Sequence, residues 1–232
     1  LADREEERMT TVRIKDRVLD SEAMRLTPRM NEPAPLFEAN TTHGRKCLTD
    51  YRGHWLLLFS HPADFTPICT SEFLAFTAAF DEFKALDCAL LGLSVDSNFS
   101  HLAWITAIKE KFGVDIPFAI IDDASMWVAS MYGMIQPCAA ETAAVRASFI
   151  IDPEGMLRMM MYYPIGVGRS VRELLRIVAA MQVVEKHGVV TPEGWQPGDK
   201  VIVPPPATAE ELKQRPHAGY EYTDWYFCKR EL

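Results

Sequence analysis

The sequence predicts an α/β fold: a mixed central sheet flanked by helices, carrying a small extended C-terminal domain. Three observations predict it. Apolar runs of strand length alternate with segments of helical periodicity between residues 55 and 187. The turn sequence Asp152-Pro153-Glu154-Gly155 joins two neighbouring strand-like runs, which adds an antiparallel hairpin to the preceding strand–helix units. After His187-Gly188 the composition shifts to Thr191-Pro192-Glu193-Gly194-Trp195-Gln196-Pro197-Gly198, a turn-rich stretch with little capacity for a core of its own.

Residues 1–30 are polar and charged and read as a loosely held N-terminal extension. The run Leu1 to Arg8 lacks an apolar segment, so no signal peptide is expected. Residues 31–188 form the main domain. Trp55-Leu56-Leu57-Leu58-Phe59 is a continuous apolar run, the mark of a strand covered on both faces. Thr66-Pro67 then opens a helix over 67–84, with Thr66 at the N-cap, Pro67 at the first helical position and Phe73, Phe76, Phe80 and Phe83 at helical spacing. Strands follow at 88–95 and 118–121, with helices at 99–111 and 124–131. The hairpin strands are 147–151 and 157–162. A helix over 170–187 presents Val171, Leu174, Leu175, Val178 and Met181 on one face. Residues 189–232 form the C-terminal domain or arm, in which Val201-Ile202-Val203 precedes three prolines. Trp195, Trp225, Tyr226 and Phe227 need burial there, against the main domain or a second subunit.

A formal net charge of −8 argues against nucleic acid or a membrane surface as partner. No apolar run approaches the ~18 residues of a membrane span. The five cysteines, 47, 69, 88, 138 and 228, are scattered and contain no C-x-x-C. That excludes a zinc ribbon and a thioredoxin-type dithiol, and it fits individual thiols in a reducing cytoplasm. No metal or organic cofactor motif is present.

Cys69 carries the chemistry. It falls in the first turn of the helix opened by Thr66-Pro67, where free backbone N–H groups and the positive end of the macrodipole favour a thiolate. Full ionisation of an ordinary thiol (pKa ~8.5) gains only about thirty-fold at pH 7, roughly 2 kcal/mol. Ionisation alone therefore does not make a fast thiol enzyme; donors for the charge moving onto the leaving group are needed as well.

Pro62-x-x-x-Thr66-Pro67-x-Cys69 resembles the peroxidatic-cysteine motif of the peroxiredoxins. The longer string His61-Pro62-Ala63-Asp64-Phe65-Thr66-Pro67-Ile68-Cys69-Thr70-Ser71-Glu72 is similar to their 1-Cys, peroxiredoxin-6-type subfamily. The resemblance extends through Phe37–Thr42, His101-Leu102-Ala103-Trp104, Arg146-x-x-Phe149-Ile150, Tyr163-Pro164, Gly168-Arg169 and Thr191-Pro192 with Trp195, covering residues 33 to 232. It implies a thioredoxin-like fold and cofactor-free reduction of hydrogen peroxide and organic hydroperoxides. It also implies roles: Cys69 as peroxidatic thiol, Thr66 as the hydroxyl contacting peroxide and sulfur, Pro62 as the shield against water, and Arg146 as the guanidinium beside the thiolate. His61 and Glu72 match supporting positions, Glu72 orienting Arg146. The helix-end N–H groups, the Thr66 hydroxyl and Arg146 are then the expected donors.

The tail Tyr222-Thr223-Asp224-Trp225-Tyr226-Phe227-Cys228 looks like the ending of archaeal-type members, in which the last cysteine resolves the sulfenic acid of a partner subunit. Tyr222 departs from that pattern, where many carry another cysteine. Cys228 is the candidate resolving thiol; the alternative is a thiol packed beside the aromatic tail. Cys47, Cys88 and Cys138 are read as structural, and His101 and Trp104 as packing residues. The implied partners are a hydroperoxide, a thiol reductant such as thioredoxin or glutathione, and further copies of the chain as a homodimer or decamer. A Gly-x-Ser-x-Gly phospholipase site, present in some mammalian relatives, has no serine in Gly53-His54-Trp55. The competing reading is a redox-sensing or chaperone-like oligomer in which the peroxide reaction is a signal.

Overall fold

Trp55–Ser60 is buried at all six positions, which a strand achieves at the centre of a sheet covered on both faces. The computed structural model describes residues 12–14, 17–19, 28–135 and 143–232. They fall into two units, Leu1–Arg169 and Ser170–Leu232; the sequence reading ran its main domain on to residue 188.

In the first unit, β1 (Val12–Ile14) and β2 (Arg17–Leu19) pair as an antiparallel ribbon within the N-terminal extension. The hairpin β3 (Glu38–Thr41) and β4 (Gly44–Cys47) precedes β5 (Trp55–Ser60). Helices α1 (Pro67–Ala78) and α2 (Phe80–Ala85), strand β6 (Cys88–Ser94), helix α3 (Asn98–Phe112), strand β7 (Ala119–Asp122) and helix α4 (Trp127–Met131) follow. The unit closes with β8 (Arg146–Ile151) and β9 (Leu157–Tyr163). The seven-stranded sheet has the order β4-β3-β7-β6-β5-β8-β9. Its β5, β6 and β7 are parallel, while β8 lies antiparallel to β5.

Alternation along β5 sends side chains to two cores. Leu56 and Leu58 join Leu91, Leu93, Phe149, Ile151, and Val128 and Ala129 of α4. Phe59 points the other way and stacks on Phe76 at 4.2 Å, with Phe73 and Phe118 edge-on. Trp104 of α3 closes over Phe73 at 4.5 Å. Helices thus cover both faces of the sheet.

The expected strands are all present, within a residue or so at their ends. The single helix expected over 67–84 is two, interrupted at Ala79, whose φ of −96° and ψ of 3° leave the helical region. The helix expected from 124 starts at Trp127. Asp123 accepts the backbone N–H of Val128 and Ala129 at 3.1 and 2.7 Å, so residues 124–126 form the capping turn instead. The β3–β4 hairpin was not expected. Its residues are mostly polar, and its outer strand β4 carries Arg45 and Lys46 on a sheet edge, where apolar alternation is not required.

The second unit contains α5 (Val171–His187), β10 (Val201–Val203), α6 (Ala209–Gln214), β11 (Glu221–Asp224) and β12 (Phe227–Arg230). Of the expected α5 face, Val171, Leu174, Leu175 and Val178 are buried and Met181 is half-buried. Ser170 caps α5 by accepting the Glu173 N–H, and Gly188, at φ +59°, ends it. The three short strands form an antiparallel sheet with β12 in the middle. Among the described residues, no helix is long and apolar enough to cross a membrane.

Candidate active site

Strand β5 delivers the chain to a tight loop, His61 to Thr66, at the carboxyl end of the parallel strands. Within it Phe65 adopts a φ of +56°, which costs a bulky residue roughly 1–2 kcal/mol. The kink re-aims the backbone so that α1 starts at once, with Thr66 at the N-cap and Pro67 in the first turn. Thr66 does not cap with its side chain: its hydroxyl donates to the Ala63 carbonyl at 2.9 Å. In that position its hydrogen is engaged and its lone pairs are open. The N–H groups of Ile68 and Cys69 are left without a side-chain cap at the helix mouth.

Cys69 is 1% exposed. Because β8 runs antiparallel to β5, its first residue, Arg146, lies at the sheet end where α1 begins. Both Nη1 and Nη2 of Arg146 reach 3.7 Å from Cys69 Sγ. Nη1 also pairs with Glu72 Oε2, and Nη2 donates to the Ile165 carbonyl at 3.3 Å. Glu72 stands one helical turn beyond Cys69, so both project to the same face of α1. A second guanidinium completes the cluster. Arg169 donates to Glu72 from its backbone N (2.7 Å), Nε (3.1 Å) and Nη2 (2.7 Å), and to the Ala147 carbonyl at 2.7 Å. Its carbon Cζ sits 5.1 Å from the Phe59 ring centroid. Burial pushes the Arg169 guanidinium below its ordinary value, while Glu72 pulls it back up.

Two guanidiniums against one carboxylate leave one buried positive charge. The Cys69 sulfur, 3.7 Å from both terminal nitrogens of Arg146, is the ionisable group that meets that charge beyond Glu72.

Behind the loop lies a second buried set. Asp64 accepts from His61 Nε2 and His101 Nδ1, both at 2.8 Å, and His101 Nε2 faces the Ile121 carbonyl at 3.1 Å. His61 Nδ1 has no hydrogen-bond partner among the described residues. Burial works against the Asp64 carboxylate, but the hydrogen bonds from His101 and His61 outweigh it and hold the carboxyl below its usual range. Burial pushes the His61 ring below its ordinary value. His61, Asp64 and His101 offer three ligand-type atoms within 4.8 Å of one another, an arrangement accounted for by their mutual hydrogen bonds. Trp104 Nε1 donates to Thr70 Oγ1 at 3.3 Å, tying α3 to α1.

An Asp with a depressed folded-state pKa contributes stability that is complete above the unfolded value near ~4 and is lost as pH falls below it. The stability gap between the native chain and Asp64→Asn is therefore expected to shrink as pH falls below about 4, as read from urea midpoints across pH. A gap unchanged through that acid range would contradict the pairing.

Cys69, Arg146 and Glu72 are brought together, and His61 and Pro62 are buried in the loop that precedes them. Cys228 belongs to the second unit, where it is fully buried in β12. Cys88 is buried in β6 with its thiol pushed up to about 12 by burial. Half-buried Cys47 donates to Asp50 at 3.0 Å; Cys138 lies outside the described residues. Sequence reasoning missed Arg169 and Asp64. The available signal was Glu72, a carboxylate among Cys69, Phe73 and Phe76 on an inward face, whose oxygens all need partners once buried.

Residues 30–160 match the AhpC/TSA family model, and residues 180–216 match the model of the C-terminal domain of 1-Cys peroxiredoxin. A peroxiredoxin of Aquifex aeolicus is 53% identical over 216 residues, covering 88% of this chain and 97% of that protein. A peroxiredoxin of Archaeoglobus fulgidus is 46% identical over 216 residues, covering 89% of this chain and 100% of that protein. The structure of yeast mitochondrial 1-Cys peroxiredoxin superposes with a TM-score of 0.80 at 40% identity, covering 88% of this chain and 99% of that one. Peroxiredoxin 6 of Arenicola marina gives 0.78 at 34% identity, covering 88% and 97%. The mixed sheet is that of the thioredoxin-like peroxiredoxin fold, and the chain belongs to the peroxiredoxin family of thiol-dependent peroxidases.

Proposed function

We propose that Cys69 is the peroxidatic thiol and that Cys228 of a second copy resolves it. The observation that carries the first part is the guanidinium of Arg146, with two nitrogens at 3.7 Å from Sγ. The Cys69 thiolate attacks the near oxygen of a hydroperoxide. An S–O bond forms, the O–O bond breaks, and the alkoxide or hydroxide leaves to take up a proton, giving a sulfenic acid. Arg146 and the N–H groups at the mouth of α1 meet the charge that moves onto the leaving oxygen. Thr66 accepts the O–H of the bound peroxide. Pro62 limits water at the site, Glu72 orients Arg146, and His61 stiffens the loop through Asp64. Hydrogen peroxide and small organic hydroperoxides fit a site with no cofactor requirement.

Resolution joins Cys69 to Cys228 between chains, which makes the working unit a homodimer or a ring of dimers. Cys228 is fully buried on the middle strand of the C-terminal sheet, so β12 must loosen from the groups that cover it before its sulfur can react. A thiol reductant then restores both cysteines, of the glutathione or thioredoxin class that serves the yeast relative. A cytoplasm kept reducing by cellular thiols suits that cycle. Residues 31–188 supply the catalytic domain and 189–232 the resolving arm.

One equivalent of peroxide, followed by a non-reducing gel and peptide mapping, tests the scheme. The expected result is a covalent dimer whose linked peptides contain Cys69 and Cys228. A monomeric ladder removes Cys228 from the cycle, and a sulfenic acid trapped at any other cysteine removes Cys69.

A further inference from the structure

Arg215 opens a 3-10 turn in the second unit and is only 7% exposed. Its Nε donates to Cys228 Sγ at 3.3 Å, its Nη2 donates to the Val203 carbonyl at 2.7 Å, and its Cζ lies 5.4 Å from the Tyr220 ring centroid. Among the described residues no carboxylate is in ion-pair contact with it. Arg146 and Arg169, in contrast, share Glu72. A buried guanidinium without a carboxylate is costly unless another group near it takes negative charge. The group in contact able to do so is the Cys228 sulfur, whose S–H at present donates to the Asp224 carbonyl at 3.2 Å.

We propose that Arg215 is a positioning residue for Cys228: it holds the sulfur and supports negative charge on it, so that Cys228 attacks as a thiolate. The proposal rests on the reading of Cys228 as the resolving thiol. Each of the two reacting cysteines then carries its own arginine. In the step itself the Cys228 thiolate attacks the sulfur of the Cys69 sulfenic acid. The S–S bond forms, the S–O bond breaks, and hydroxide departs and takes a proton to become water. Cys228 is oxidised and the Cys69 sulfur reduced, with Arg215 cationic throughout. The Nη2 bond to Val203 anchors the guanidinium to β10, so that it stays in place when β12 loosens.

The test compares carboxymethylation of Cys228 by anionic iodoacetate with its alkylation by neutral iodoacetamide, in the full chain carrying Cys69→Ser, with peptide mapping to isolate Cys228. Strand opening and thiol ionisation enter both rates equally and cancel in their ratio; the charge beside the sulfur does not. Arg215→Gln is expected to lower the iodoacetate-to-iodoacetamide ratio about fivefold, while Arg215→Lys keeps it within about twofold. In the chain with Cys69 intact, Arg215→Gln is expected to slow disulfide formation about tenfold. An unchanged ratio in Arg215→Gln overturns the proposal whether or not the disulfide forms. A lowered ratio with no Cys69–Cys228 disulfide in the native chain supports the Arg215–Cys228 coupling and removes the resolver reading instead. If Arg215→Gln does not fold, the ratio in the protein is compared with that of a free peptide of residues 221–232. A value no higher in the protein overturns the proposal.

Discussion

Cys69→Ser is expected to reduce peroxide consumption to the uncatalysed background in the presence of any thiol reductant, with the fold intact. Serine is smaller by little and fits the first turn of α1, so packing is not the issue. Its hydroxyl ionises far above neutral pH, and a single buried positive charge cannot supply the missing ionisation. Nor can an alkoxide cycle through a sulfenic acid. Arg146→Met belongs to the same series and isolates the electrostatic part. The sulfur remains, but both nitrogens at 3.7 Å are gone. Removing a donor of this type costs a factor of about 10²–10³ in turnover, roughly 2.7–4 kcal/mol. Stopped-flow peroxide consumption at low substrate separates the two variants. Equal rates for the native chain and Cys69→Ser would end the assignment, and a drop of less than about tenfold in Arg146→Met would move the stabilising role elsewhere.

Glu72→Ala is expected to be the most destabilising single change in the site. The carboxylate is 3% exposed and holds Arg146 and Arg169, themselves 2% and 7% exposed. Truncation leaves two buried guanidiniums facing each other without the carboxylate they share, and breaking a buried pair in this way costs about 3–5 kcal/mol. Glu72→Gln keeps the volume and one acceptor but not the charge, so it is expected to recover only a minor part of the loss. The unfolding midpoint in urea, followed by near-ultraviolet circular dichroism, reports the effect. Peroxidase activity is expected to fall in parallel, because Arg146 loses the partner that orients it. A cost below about 1 kcal/mol would mean that the two guanidiniums find water or other acceptors, and that the charge cluster is not closed.

These residues mark how far the chain could be read. Cys69 at a helix start was legible because N-terminal helix chemistry is local: Thr66-Pro67 fixes where the helix begins, and the cysteine falls three residues later. The strands were legible because continuous apolar runs admit few other fates. The split of the 67–84 helix and the short α4 were not. They turn on side-chain hydrogen bonds and single backbone angles, such as the Asp123 carboxylate accepting from Val128 and Ala129. The Ala63 carbonyl as acceptor of the Thr66 hydroxyl was not legible for the same reason, since residue type gives a hydroxyl but not its partner.

By itself, the sequence determined an α/β chain with a hairpin-ended sheet, a turn-rich C-terminal segment and one cysteine at a helix mouth. Periodicity, caps and turn residues act over a few neighbours along the chain. Only the tertiary structure decided which charges meet. Glu72 binds Arg146 and Arg169, 74 and 97 residues away, Asp64 joins two histidines, and Arg215 reaches Cys228. Electrostatic partners are chosen by distance in space and by the cost of burying a charge alone, and neither is written in local spacing.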